Sequence, residues 1–238
     1  MTQDRQLRSD QTRHRILRAA IQEFSDHGLA GGRTGAIADA AQVNKALLYY
    51  YFRDKEGLYT AALEAVAAKV AGSALAVLGL DCSPGERMLR FALQHFDRIL
   101  SRQGFQALMQ QEMVRFHAGQ STAMRIIVRS AFEPMWERAL DLIREAMRSG
   151  ELCEADPLQV MYASLGANVF YFLSAPMMQL LTMADPLTPS AIQARRRHAI
   201  EFLGQSLFTD RSHGAHLAGI VLASTPLPDL ARPERKTA

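Results

Sequence analysis

The sequence predicts an all-α protein, with a small three-helix head at the N-terminus and a larger helical domain behind it. Three observations carry that expectation. Apolar residues recur at helical spacing along most of the 238-residue chain, and no stretch alternates in the manner of a strand. Hydrophobic residues make up 48% and charged residues 21%, enough to fill a core and too few charges for a disordered chain. Turn and cap residues interrupt the pattern at short intervals up to residue 57, after which the helices lengthen.

The stretch "TRHRILRAAIQEFSDHG" sets Leu17, Ala20, Ile21 and Phe24 on one stripe, with Gly28 as its C-terminal cap. Thr34 is expected to N-cap a short second helix that buries Ile37, Ala38 and Ala41. Gln42, Val43 and Asn44 form a turn, and Asn44 caps a third helix, "KALLYYYF". Leu58 to about Leu80 is an Ala-rich helix closed by Gly79, Asp81, Ser83 and Pro84. Gly85 to Ser101 is amphipathic through Met88, Phe91, Ala92, His95, Phe96 and Ile99. Gly104 to His117 is another helix, and Gln120 to Ser149 reads as one long helix bent or interrupted near Pro134. Asp156 to Ala184 carries no charge after its first residue, and Pro189 to Phe208 is a last helix capped by Thr188. Beyond Asp210 no periodicity is evident. The domains expected are therefore 1–57, 58–210 and a mobile tail, 211–238.

Composition removes several classes of function. Cys82 and Cys153 cannot build a disulfide framework, and no Cys/His spacing suits zinc, so neither metal nor other cofactor is expected. No nucleophile elbow or glycine-rich phosphate loop supports an enzyme. The N-terminus "MTQDRQLRSD" lacks the apolar stretch of a signal peptide, which points to a cytoplasmic setting. The charge-free segment 157–184 is long enough to span a bilayer, but Gly166, Asn168, Pro176 and Gln179 scatter over its faces and acids flank it. No membrane partner is expected; burial inside protein or between subunits fits better.

Winding the third helix at 3.6 residues per turn puts Leu48 and Phe52 on one side. Lys45, Ala46, Tyr49 and Tyr50 fall on the other, with Leu47 and Tyr51 flanking them. One lysine, one small residue and phenol hydroxyls suit a phosphate-lined groove, where alanine lets backbone approach the base edges. A short capped helix, a tight turn and this second helix make a helix-turn-helix, whose second helix enters the major groove of double-stranded DNA. The basic stretch "RQLRSDQTRHR" lies upstream; Arg13 and Arg15 in it are either backbone contacts or a solvated face.

The segment "TGAIADAAQVNKALLYYYFRDKEGLYTAAL" resembles the DNA-binding head of the tetracycline-repressor (TetR) family of bacterial regulators. The matching positions are Thr34, Ile37, Ala38, Ala41, Val43, Leu48, Tyr49, Tyr50, Phe52, Lys55, Glu56 and Leu58. Two positions depart: Gln42 stands where the family usually has glycine, and Tyr51 where it often has histidine. The resemblance implies a DNA-binding set of Thr34, Asn44, Lys45, Ala46, Leu47, Tyr49, Tyr50, Tyr51 and Lys55. In that set Thr34 and Lys55 meet phosphate at helix N-termini, and Ala46 and Leu47 touch bases. It also implies a homodimer built on the last two long helices, where Ala163, Gly166, Ala167, Ala199 and Gly204 allow close approach. A small-molecule effector that releases DNA completes the implied picture.

For that effector the methionines and aromatics suggest a largely apolar cavity. The candidate contacts are His95, Glu112, Phe116, Trp136 and Asn168. Glu112 lies inside the apolar stripe Phe105, Leu108, Met109, Met113 and Phe116. It either faces the effector or pairs internally with Arg90, Arg115 or Arg129. Arg195 to Arg197 read as solvated surface. The competing function is a helical protein-binding adaptor without DNA binding, which would leave the tyrosine helix unused.

Overall fold

The computed structural model describes residues 2–101 and 103–228. Eleven helices follow one another among them, with a single π-helical turn and one isolated β-bridge, Leu152 to Phe208. They divide into two compact units, Met1–Gly72 with Gln103–Pro134, and Ser73–Arg102 with Met135–Ala238.

The first unit holds α1 (Thr2–Gly31), α2 (Thr34–Ala40), α3 (Lys45–Phe52), the larger part of α4 (Lys55–Leu78), α6 (Gln103–His117) and α7 (Ala123–Ile127). Of the stripe read from the sequence, Leu17, Ala20 and Phe24 are buried and Ile21 is half-buried; Ile16, outside that stripe, is fully buried, with Ile37, Leu48 and Leu58 also in the core. The Phe24 ring meets Tyr59 edge to face, centroids 5.2 Å apart. Gly28 turns the chain at φ 65° and its missing side chain admits Gln111 of α6, whose Oε1 lies 2.7 Å from where a Cβ would stand. Phe105, Leu108 and Met109 of α6 are buried, and α6 packs on α1 within this unit. Met113, expected in that stripe, is exposed.

α7 runs into a π-helical turn at Val128–Phe132 and then into α8 (Glu133–Arg148). The wide turn sits directly before Pro134, whose ring would clash with the carbonyl four residues back in an ordinary α-turn. The expected interruption is therefore a widening of the helix.

The second unit holds the end of α4, α5 (Pro84–Ser101), most of α8, α9 (Pro157–Thr182), α10 (Pro189–Leu207) and α11 (Arg211–Ser224). Asp156 caps α9 by accepting from the amides of Leu158 and Gln159, and Thr188 caps α10 by accepting from Ala191. Met88, Leu89, Leu93, Leu142, Ile143 and Ile200 fill the core between them.

Three expectations fail in this unit. The segment after Asp210 is not a tail through its first half: Asp210 caps α11, which buries Gly214, Leu217, Ala218 and Val221. Residues 229–238 lie outside the described residues. Ala199 and Gly204 do not wait for a partner subunit: they are buried, and a Cβ on Gly204 would stand 2.5 Å from the Gly214 carbonyl, so α10 and α11 cross at a pair of glycines. Arg196 is not solvated surface. Its guanidinium donates to both carboxylate oxygens of Asp97, at 2.7 and 2.8 Å, and to the Thr225 carbonyl at 2.9 Å. A buried guanidinium needs that full set of acceptors to offset its lost hydration.

α4 has the length and hydropathy to cross a bilayer, as the core helix of a soluble protein also can, and it buries Leu58, Leu63, Val66 and Val70 inside the protein.

Candidate functional site

The α2–α3 pair is built by its caps. Arg33 is extended and precedes α2, so Thr34 is the first helical residue and not the cap expected of it. At the far end, Gln42 N–H donates to Asp39 and Val43 N–H to Ala38, both at 3.0 Å, with Gln42 left-handed at φ 53°. This is the glycine-type closure of a helix made with glutamine. A non-glycine residue there costs about 1–2 kcal/mol, against about 0.5–1 kcal/mol of extra unfolded-chain entropy that glycine brings. Gln42→Gly is therefore expected to raise stability by about 0.5–1 kcal/mol, read as a higher denaturant midpoint. A lowered midpoint would show that the glutamine side chain itself holds the turn.

Asn44 then caps α3, its Oδ1 accepting from Leu47 N–H at 2.7 Å. Leu48 and Phe52 point inward, 0% and 5% exposed, and burying two such side chains holds α3 by about 2 kcal/mol each. The opposite face is the one the sequence sets outward. Lys45 and Ala46 are exposed, Leu47 is half-buried, and Tyr50 is 79% exposed. The Tyr49 hydroxyl lies 3.1 Å from the Thr34 hydroxyl, tying α3 to the start of α2. The Lys45 side chain lies over Gly35, its Cε 3.2 Å from where a Cβ would stand. Thr34, Lys45 and Tyr49 are thereby brought to one place, joining a hydroxyl pair and a cation.

Lys55 opens α4 and its ammonium donates to the Ala30 carbonyl at 3.1 Å. Asp54 caps the same helix through the Gly57 amide. Tyr51 is half-buried, with its hydroxyl 2.9 Å from Ser9 of α1, and the Arg13 guanidinium sits 5.5 Å from the Phe52 ring centroid. Two residues outside the expected set sit at this surface. Ser9 has no signal in a polar, charged stretch. Arg53, exposed at the end of α3, has a left-handed backbone (φ 67°) that no propensity foretells.

The five effector candidates are divided between the two units. Glu112 and Phe116 belong to α6 of the first unit, and His95, Trp136 and Asn168 to the second. Glu112 is 0% exposed and spends its oxygens internally: Arg115 donates to one at 3.2 Å and the Ser121 hydroxyl to the other. Arg115 also reaches Glu56 and lies over the Tyr59 ring, 5.6 Å from its centroid. Burial, and then the Glu112 charge, push the Tyr59 hydroxyl up to about 12. Of the internal partners open to Glu112, the structure gives Arg115. Phe116 is half-buried beneath the Arg125 guanidinium.

In the second unit Asn168 donates to the Ala92 carbonyl at 3.2 Å and stands 3.5 Å from His95 Nδ1. Burial, with the nearby Arg98 charge, pushes the His95 imidazole down to about 3, so it is neutral at physiological pH. Trp136 packs on the core with its ring 6.3 Å from Tyr162. None of the five lines the cavity bounded by Met88, Phe91, Ala92, Ala139, Leu142, Ile143, Met161, Ser164 and Leu165. That cavity has about 10 Å³ of free space, room for one water at most.

A capped helix-turn-helix ahead of a larger helical region defines a DNA-binding transcriptional regulator. The chain belongs to the tetR family of bacterial regulatory proteins, whose N-terminal domain matches residues 16–62, with a tetracyclin repressor-like C-terminal domain over residues 84–203. The HTH-type transcriptional repressor NicS of Pseudomonas putida is 42% identical over 82 residues, 34% of this chain and 38% of that protein. This chain thus spans well under half the length of that curated relative. A solved structure of a candidate transcriptional regulator from Streptomyces coelicolor is 27% identical, with a TM-score of 0.55 over 91% of this chain and 99% of that one. A regulator from Saccharomonospora viridis, solved with choline, shares the fold at 17% identity, with a TM-score of 0.66 over 83% of this chain and 98% of that one.

Proposed function

We propose that the protein is a transcriptional repressor that binds a palindromic operator as a homodimer and is released by a small-molecule effector. The observation that carries the DNA reading is the outward face of α3, where Lys45, Ala46 and Tyr50 are exposed while Leu48 and Phe52 lock the helix to the head. In the Thr34–Tyr49 pair one hydroxyl donates to the other, which keeps its own proton for a phosphate at the start of α2. Ala46, exposed, and Leu47, half-buried, are read as the contacts with base edges, Leu47 with a thymine methyl.

The dimer reading rests on α9. Tyr162, Phe170, Leu173, Met177, Leu180 and Leu181 are all more than half exposed, and their spacing sets them along one side of α9. A run of exposed large apolar side chains along one helix face marks an interaction surface. Two heads in one dimer read two half-sites about 34–36 Å apart. The effector is read as a largely apolar molecule, because the cavity of the second unit is lined by carbon and sulfur side chains and one serine. At about 10 Å³ its cavity must widen to admit one. The Saccharomonospora viridis regulator holds choline, and a FadR regulator from Bacillus subtilis was solved with stearoyl-CoA, so the shared fold admits small molecules of quite different chemistry.

The test is a gel shift with DNA from upstream of the encoding gene. Binding should weaken steeply with salt. Lys45→Ala should weaken it on every sequence and lower the salt slope by about 1. Leu47→Ala should instead change preference at one base step. A protein that retards no such fragment at low salt is an adaptor and not a regulator of this kind.

A further inference from the structure

We propose that Ser9 positions the outer aromatic pair of the recognition helix, so that the N-terminal turns of α1 are part of the DNA reader. The proposal rests on the DNA-binding reading of α3 and adds a residue to it. Ser9 lies upstream of the segment shared with the family, residues 16–62. Its hydroxyl is 2.9 Å from the Tyr51 hydroxyl, a bond between residues 42 apart in the chain. The Tyr51 ring in turn meets Tyr50 edge to face, centroids 5.4 Å apart and planes at 81°. Tyr50 is 79% exposed, so the core does not hold its ring. Its neighbour does, and Ser9 holds that neighbour.

Four residues beyond Ser9, on the same side of α1, Arg13 places its guanidinium 5.5 Å from the Phe52 ring centroid. α1 therefore touches the end of α3 at two successive turns, through polar groups at both. A contact made only to pack two helices would bury carbon there. A hydroxyl pair at a half-buried ring does something else: it selects one orientation of the ring. When Ser9 donates, the Tyr51 hydroxyl keeps its own proton for an acceptor outside the protein, such as a phosphate oxygen. Fixing both rings before DNA arrives removes an ordering cost from binding.

The experiment uses the full chain and a duplex enriched by the wild-type protein from a random-sequence pool, with affinity read by fluorescence anisotropy. Ser9→Ala should weaken binding about three- to tenfold, the worth of one hydrogen bond. Tyr51→Phe should cost at least as much, because it also removes the proton offered to phosphate, and the double variant should cost no more than Tyr51→Phe alone. Ser9→Thr, which keeps the hydroxyl, should restore affinity. The salt slope should not change in any of them, because no charge is removed. Helicity and melting should stay as in the wild type. Wild-type affinity in Ser9→Ala, or additive losses in the double variant, would overturn the proposal and leave the DNA reading standing. A wild-type protein that enriches no duplex would overturn both.

Discussion

Arg115→Met should destabilise the protein by about 3–5 kcal/mol, the cost of stranding a buried charge. The stranded group is Glu112, whose residue is 0% exposed and whose carboxylate would keep only the Ser121 hydroxyl. Arg115 makes three other contacts in the same place: Glu56, the Gln120 carbonyl at 3.3 Å, and the face of Tyr59. Glu112→Gln should be much milder, about 1–2 kcal/mol. The amide keeps the shape and an acceptor for one donor, while Arg115 retains Glu56 and is itself partly exposed, so no charge is left buried and alone. Replacing both residues by methionine should recover most of the Arg115→Met loss, because the pair is removed together. Urea unfolding of the three variants decides it. Equal losses in Arg115→Met and Glu112→Gln would show that the ion pair is not what holds this part of α6.

That pair also shows where reading a sequence stops. The apolar stripe on α6 was enough to mark Glu112 as a buried carboxylate, and the alternatives of ion pair and effector contact followed from electrostatics alone. Choosing Arg115 over Arg90 and Arg129 required the fold. Local features were legible because their physics is local. Asn44 caps the residue three ahead of it, Gly28 bends where a left-handed residue is needed, and 3.6 residues per turn separate Leu48 and Phe52 from Tyr49 and Tyr50. What stayed hidden depends on distant partners. Arg196 looks like its two neighbours until Asp97, 99 residues away, is placed against it. Gly204 looks like a subunit contact until Gly214 occupies the space. The α11 stripe had the right spacing, at 214, 217, 218 and 221, but two of its four members are glycine and alanine and carry little apolar signal. The Ser9–Tyr51 bond is of the same kind, invisible at a separation of 42 residues.

The second large effect is expected from Gly166→Trp on α9, read in assembly and not in folding. Within one chain nothing lies within 4 Å of a Cβ built on Gly166, so the ring meets open space and the subunit keeps its helicity. Around it, Tyr162, Phe170 and Leu173 are 59%, 60% and 58% exposed, the stripe taken here as the dimer face. Gly166, with exposed Ala163 and Ala167 beside it, is the low point of that stripe, where two helix backbones can approach closely. An indole at the low point holds the helices apart along their whole length and forfeits the burial of the larger side chains on both subunits. Sedimentation should show a monomer at micromolar concentration. DNA binding should fall by about a hundredfold or more, since each head then engages its half-site without the other, and linked sites exceed single ones by about 10²–10⁴. The salt slope should fall toward half, because half of the phosphate contacts are lost. An intact Gly166→Trp dimer with full DNA affinity would move the interface off this face of α9. A wild-type monomer would remove the two-half-site reading altogether, and with it the palindrome.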